Sequence, residues 1–264
     1  MRGNAYLFRD FKGGVNAQAA PYNLQDGEAR DVTRNVVSTQ RGAVRKRDGV
    51  VTFATPPEAL NSLFALTSPN FLIGAGGTSL YRIDSSGMSA VLASTLTANL
   101  RWEFVQAPAQ GGQGPLYGMN GTDTPKQWTG LTAASAVDWT STSGALPNGK
   151  YLAYHGNRVF VAGVTAQPTR LYWSDIGNPR VWPVENVLDL DPGDGEPITG
   201  IGTLKGQLLV FKGSKAWTIF DLNTGANRRL GDNVGCVSHR SIVETTRGCY
   251  FLTRTQGIMV TDGY

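Results

Sequence analysis

The sequence contains few cysteines and histidines, and it has no long apolar run. The two cysteines, Cys236 and Cys249, are too few for a disulfide framework. They could form a cross-strand disulfide, but we favour the interpretation that both are buried thiols in a reducing cytoplasm. No apolar stretch approaches the roughly 20 residues of a membrane-spanning helix, and the N-terminus lacks the apolar core of a signal peptide. We therefore expect a protein that is made and folded in a cytoplasm, without a membrane anchor.

Motifs for common catalytic and cofactor sites are also missing. The chain has no Gly-x-Ser-x-Gly nucleophile elbow and no phosphate-binding Gly-x4-Gly-Lys-Ser/Thr loop. Cys236, His239 and Cys249 offer three zinc ligands at most, without a Cys-x-x-Cys pair. The other histidine, His155, precedes Gly156 and is better read as a turn residue. We therefore predict no catalytic residue, no metal site and no cofactor, and a protein that is not an enzyme.

The charge content of the chain is low. Charged residues make up 17% of the sequence, which suits a protein whose surface is in contact with neighbouring subunits. The formal net charge of +4 permits contact with nucleic acid but is well short of a dedicated DNA-binding domain. The 33 glycines and 13 prolines are typical of many short strands joined by tight turns.

A loose repeat occupies the chain from about residue 60 onward. Each unit has an apolar strand-like run, a Gly/Asn/Ser turn, and a second run that ends before a turn residue. Successive units start roughly 40 to 50 residues apart, which is the spacing of four-stranded propeller blades. We predict an all-β fold with a β-propeller-like domain of about five short-stranded blades or partial blades. The first runs are residues 63–66, 102–105, 151–154, 198–201 and 242–243, and the second runs are residues 80–84, 126–130, 171–175, 217–221 and 258–262.

The first 55 residues are richer in charge and lack the repeat. Residues 35–37 and 43–47 predict two strands around a turn, and residues 26–32 predict one short helical turn. We expect an extended N-terminal arm and hairpin at residues 1–55 and the propeller-like domain at residues 56–264. The chain stops inside its fifth unit, so either the arm supplies the remaining strands of that blade or the natural chain is longer.

Two acidic turns within the repeats are candidate functional sites. Residues 189–196 hold the densest group of carboxylates, but Pro192 and two glycines break the alternate spacing of a calcium loop. We therefore favour an inter-blade loop over a metal site. Residues 175–177 are similar to the Asp-box turn of sialidase-type propellers, but Trp182 follows too late, so a glycosidase is discounted.

An ordered set of segments resembles one protein family. The set comprises residues 11–16 (FKGGVN), 20–22, 26–31, 35–36 and 42–49, then the blade-like segments 156–160, 171–183 and 209–217. Together they resemble tailed-bacteriophage tail proteins of the nozzle, or tail tubular protein B, class of propeller-type tail hubs. The chain is shorter than typical nozzle proteins, which leaves open a propeller portion of one or a smaller minor tail protein.

The resemblance implies a structural virion protein of the phage tail, assembled in the host bacterial cytoplasm. Such proteins form homo-oligomeric rings, typically six-fold, that lie below the portal and adaptor and join them to distal tail parts. The ring lumen forms or seals the DNA-ejection channel, with non-specific contact to genomic DNA. The alternative is a tail-tip propeller that binds a host surface receptor or glycan.

Basic residues are the candidate interaction sites. The densest run lies in the predicted hairpin, and a smaller pair lies in what reads as a loop within the fourth unit. We expect these residues to contact a neighbouring subunit or to face DNA, and we weight subunit contact above DNA. A solvated strand edge is the simpler interpretation. The residues are Arg41, Arg45, Lys46, Arg47, Arg228 and Arg229. The six tryptophans are better explained by packing inside the blades than by a sugar-binding or base-stacking set.

Overall fold

The computed structural model describes residues 52–67, 70–108, 114–129 and 135–263, together with the backbone of four short strands nearer the N-terminus. The chain divides into two compact units, Met1–Thr52 and Phe53–Tyr264. Within the described residues, no helix is both long enough and apolar enough to cross a membrane.

The four short strands of the first unit form two small sheets. β1 (Gly14–Val15) pairs in parallel with β2 (Glu28–Ala29), and β3 (Val36–Ser38) pairs antiparallel with β4 (Val44–Lys46). The β3–β4 pair confirms the predicted hairpin. The predicted helical turn over residues 26–32 is wrong at its centre, because β2 is extended and pairs with β1. The rest of that span lies outside the described residues.

The second unit consists of five antiparallel sheets, which we call blades 1 to 5. In every blade each strand pairs with the next strand along the chain, so the backbone runs up and down within one sheet before it enters the next. The strands are, in blade 1, β5 (Leu60–Thr67), β6 (Asn70–Gly76), β7 (Ser79–Ile83) and β8 (Ser89–Ala93); in blade 2, β9 (Glu103–Gln106), β10 (Leu116–Met119), β11 (Lys126–Trp128) and β12 (Val137–Asp138); in blade 3, β13 (Tyr151–His155), β14 (Arg158–Ala162), β15 (Arg170–Trp173) and β16 (Val187–Asp189); in blade 4, β17 (Ile198–Leu204), β18 (Gln207–Lys212), β19 (Lys215–Asp221) and β20 (Ala226–Asp232); and in blade 5, β21 (Val243–Glu244), β22 (Cys249–Leu252) and β23 (Ile258–Thr261).

This arrangement confirms the predicted all-β, propeller-like fold. The first runs of the sequence repeat match the first strands of the five blades, and the second runs match the third strands. The first strands also lie beside one another: β9 contacts β5 and β13, and β17 contacts β13 and β21. They therefore line a common centre, as the first strands of propeller blades do. The described residues contain no α-helix, and the 3₁₀ turn His239–Ser241 precedes β21.

Four apolar clusters fill the four interfaces between successive blades. The six tryptophans belong to them, and each is at most 4% exposed, which confirms the prediction that they pack inside the blades. A buried aromatic ring of this size removes about 150–250 Å² from water, or roughly 4–6 kcal/mol of transfer free energy as an upper estimate. Blade-to-blade packing therefore depends strongly on these residues, which are Trp102, Trp128, Trp139, Trp173, Trp182 and Trp217.

Trp139 and Trp182 pack against each other between blades 2 and 3. Their rings lie 5.9 Å apart, and both indole N–H groups donate hydrogen bonds to the carbonyl oxygen of Pro179, at 3.1 and 3.0 Å. Gly144 passes so close that a Cβ there would lie 1.7 Å from the carbonyl oxygen of Trp182, and its φ is +73°. The turn compared above with an Asp box thus serves inter-blade packing.

Blade 5 has one buried and one exposed face. Cys249 and Phe251 face blade 4, where the Phe251 ring lies 4.8 Å from that of Phe211. The pairings Val243–Tyr250–Val260 and Leu252–Ile258 put five apolar or aromatic residues on the opposite face. Four of them are exposed, with Ile258 at 75%. We call this surface the blade-5 face; its members are Val243, Tyr250, Leu252, Ile258 and Val260.

Candidate functional site

A partly buried polar cluster lies where the first strands of the blades converge. Glu103 begins β9 of blade 2, whereas His239 and Arg240 belong to the 3₁₀ turn that leads into blade 5. The Arg240 guanidinium lies 2.9 Å from Glu103 Oε1 in a salt bridge, and His239 Nε2 lies 3.7 Å from Glu103 Oε2. Residues more than a hundred positions apart in sequence therefore meet at the centre of the fold.

Arg240 also contacts residues of the first two blades. It donates hydrogen bonds to the carbonyl oxygen of Trp102 at 3.3 Å and to Ser62 Oγ at 3.5 Å. Ser62 is buried, and its hydroxyl accepts a 2.9 Å hydrogen bond from the backbone N–H of Trp102. The guanidinium thus joins blade 5 to β5 of blade 1 and to the start of β9.

His239 is held in its neutral form. Burial, assisted by the neighbouring Arg240 charge, lowers its pKa from 6.5 to about 4. The backbone N–H of Ile201 donates to Nδ1 at 3.4 Å, and the ring packs against Tyr151 with centroids 5.0 Å apart. Since the imidazole is neutral at pH 7, the salt bridge of the cluster is the one between Glu103 and Arg240. Burial raises the pKa of Glu103, and Arg240 opposes that shift.

Two cavities share Glu103, His239 and Arg240 as a common wall. The first has a volume of about 320 Å³, includes the residues at the start of the first strands, and is lined by the cations Arg101 and Lys150. We call it the basic cavity. The second has a volume of about 430 Å³, includes residues further along those strands, and is lined by a second carboxylate, Glu244. The two cavities therefore differ in charge although they share a wall.

The carboxylates of residues 189–196, which we call the acidic loop between blades 3 and 4, compensate the charge of a buried lysine. Lys212 is fully buried at the end of β18, and its ammonium donates to Asp194 Oδ1 at 2.8 Å and to the carbonyl oxygen of Asp191 at 3.1 Å. The Lys215 ammonium donates to the carboxylates of both residues, to Asp191 Oδ2 at 2.9 Å and to Asp194 Oδ2 at 2.8 Å. Burial opposes ionisation of Asp194, but the two ammonium groups hold its pKa well below its ordinary value. No group of three or more potential metal ligands occurs in the described part of the chain.

Four of the six sequence-predicted basic residues lie in described strands, two in the first unit and two in blade 4. Arg45 and Lys46 are in β4 of the first unit, and Arg41 and Arg47 lie outside the described residues. The sequence predicts Arg228 and Arg229 in a loop, but they are exposed residues of β20, where they pair with Thr218 and Trp217 of β19. The loop assignment is wrong because β19 continues far enough to give them backbone partners. Arg228 also donates to the carbonyl oxygen of Gly263 at 3.2 Å.

Sequence reasoning missed the central cluster. One signal was present, namely a carboxylate at Glu103 between the apolar Trp102 and Phe104 of a strand-like run. A second was the adjacent pair His239-Arg240 just before the fifth unit. Neither is specific alone, because their significance depends on which strands meet at the centre.

Comparison with known proteins identifies the fold type alone. No protein-family model matches the chain, and no curated protein does. The chain is similar to a quinoprotein alcohol dehydrogenase-like protein from Bacteroides thetaiotaomicron, with 14% identity and a TM-score of 0.48 over 75% of this chain, and it spans 50% of that chain. It is similar to YCF48 bound to D1 peptide, with 13% identity and a TM-score of 0.49 over 83% of each chain. It is also similar to BBS1N in complex with ARL6DN, with 12% identity and a TM-score of 0.49 over 86% of this chain and 75% of that one.

Proposed function

We propose that this protein is a non-enzymatic structural component of a bacteriophage tail. In this proposal its propeller unit packs against other copies in a ring at the DNA-ejection channel, between the adaptor and the distal tail parts. Its role is mechanical: rigid β-sheets continue and seal the conduit for the genome. The protein then resides in the virion after assembly in the host cytoplasm.

The order of the nozzle-like segments along the blades supports this proposal. Residues 156–160 form the turn and second strand of blade 3, residues 171–183 contain its third strand and the Trp182 turn, and residues 209–217 span the β18–β19 hairpin of blade 4. The resembling segments therefore correspond to whole structural pieces of successive blades, and most of their apolar residues are in the core. A resemblance spread over loops alone would carry less weight.

The blade-5 face is the observation that carries the assembly role. Exposed apolar patches on proteins mark contact surfaces, and this one lies on paired strands rather than on a loop. A subunit that repeats one contact around a ring needs such a surface on every copy. We assign the blade-5 face to contact with a second copy of the chain, because the low charge content of the protein also suits buried subunit surfaces.

The alternative, a propeller that binds a host receptor or glycan, has less support. Sugar recognition commonly uses aromatic rings that are open to solvent. All six tryptophans are buried between blades, so none offers a stacking platform. Phe53 and Phe220 are exposed rings, but the blade-5 face is the larger apolar surface, so we favour the assembly role.

The mass of the purified protein in solution, measured by light scattering with and without tail and adaptor components, tests the proposal. We expect a defined ring, formed either alone or on the tail components. Val260→Asp on the blade-5 face should abolish that ring by placing a charge in the contact. Val91→Asp is the matched control, because Val91 is also a strand valine, with 49% exposure against 51% for Val260. A monomer that ignores tail components and binds host envelope material would refute the assembly role.

A further inference from the structure

The basic cavity has an excess of positive charge. Three cationic side chains line it, against one carboxylate. Glu103 is already paired with Arg240. Among the described residues, neither Arg101 nor Lys150 has a salt-bridge partner. A concave site that gathers unpaired cations attracts anions, because its walls focus the field.

The lining also offers neutral polar groups beside these charges. Tyr151 and Ser238, whose side chains carry hydroxyl groups, are part of the lining, and the neutral His239 ring adds no charge. A volume of about 320 Å³ lies at the small end of the range for ligand pockets, which suits a compact molecule rather than a polymer. The shared wall separates this cavity from its acidic neighbour, where Glu244 would repel an anion.

We propose that the basic cavity binds a small oxyanion, that is, a compact molecule bearing a carboxylate or a phosphate group. Arg101 and Lys150 at the rim contact the oxygen atoms of the ligand, and Arg240 contributes from the wall while it keeps its bond to Glu103. Arginine recognises both groups through paired N–H donors, so carboxylate and phosphate share this chemistry. The inference is independent of the proposed tail role, because it concerns the interior of one chain.

Titration calorimetry at constant ionic strength tests the proposal with two probes used separately, inorganic phosphate and the dicarboxylate succinate. We expect saturable binding of at least one probe, with one site per chain. The probe that binds more tightly identifies the source of the oxyanion. Arg101→Ala and Lys150→Ala should each weaken binding by roughly tenfold or more, since each variant loses a charge-assisted hydrogen bond to the ligand. Both side chains lie on exposed residues, so the variants should fold, and circular dichroism checks this.

Arg247→Ala is the matched control, because Arg247 is an exposed arginine near the start of β22 and does not line the cavity. It should bind the probe like the unmodified protein. Absence of saturable binding of either probe at millimolar concentration would overturn the proposal. So would equal binding by Arg101→Ala and Arg247→Ala. A short DNA duplex serves as a third probe: duplex binding that exceeds both small anions and is lost in Arg101→Ala would assign the rim to DNA phosphates instead.

Discussion

The buried ammonium of Lys212 gives the sharpest stability prediction. Its charge is compensated by Asp194, and removing one partner of a buried ion pair leaves the other charge without compensation. Asp194→Asn keeps the shape of the side chain but removes its charge. We expect it to lower the free energy of unfolding by about 3 kcal/mol, the lower end for such a change, because the Asp191 carbonyl still accepts from Lys212. For a domain of this size, that corresponds to a fall in Tm of about 6 to 12 °C.

The double variant Lys212→Met/Asp194→Asn separates the charge effect from a packing effect. Methionine has a similar volume and needs no counter-ion, so the double variant should be more stable than Asp194→Asn alone. Lys212→Met by itself should be mild, because Asp194 keeps its bond to Lys215. Chemical denaturation followed by fluorescence of the buried tryptophans measures all four proteins. If the double variant is no more stable than Asp194→Asn, an unpaired buried charge is not the cause of the loss.

Three further predictions concern other parts of the second unit. Because the His239 pKa is about 4 when folded and 6.5 when unfolded, the unfolded chain binds more protons between these values. Stability should therefore fall as the pH drops through that window, by about 3 kcal/mol in total, and His239→Gln should remove this component of the pH dependence. Burial raises the pKa of Cys249 to about 11, so a thiol reagent should react with it slowly in the native protein and rapidly in denaturant. Gly144→Ala should cost more stability than Gly206→Ala in thermal melts: both have positive φ, but only Gly144 would bring its Cβ against the carbonyl of Trp182, so equal melting temperatures would argue against that clash.

The repeat made the blades predictable because each blade is a local structure. A strand, a turn and the next strand are adjacent in sequence, so periodicity and turn residues carry the information. The type of pairing was predictable in the same way, since an up-and-down meander pairs neighbours. The short strand β2 was missed because its partner β1 is not adjacent to it, and the strand character of Arg228-Arg229 was missed because charged residues in an outer strand look like a loop.

The centre of the fold was not predictable for a related reason. Glu103 and Arg240 belong to different units of the repeat, and no local pattern says that they meet. The acidic loop could be located, but its role as counter-charge to Lys212 required knowing that this lysine is buried. The spacing favoured an inter-blade loop over a calcium site, whereas only the three-dimensional packing supplied the reason for the carboxylates.

The reach of Arg240 has a consequence for the order of folding. Contacts within a blade close short loops, whereas the bonds from Arg240 to Trp102 and Ser62 close loops of 138 and 178 residues. Closing such long loops costs more entropy than closing the short loops within a blade, so we expect these bonds to form late, after the blades have assembled. Interactions made after the transition state act on unfolding alone. We expect Arg240→Ala to unfold faster with little change in its folding rate, so this single side chain prolongs the lifetime of the folded propeller.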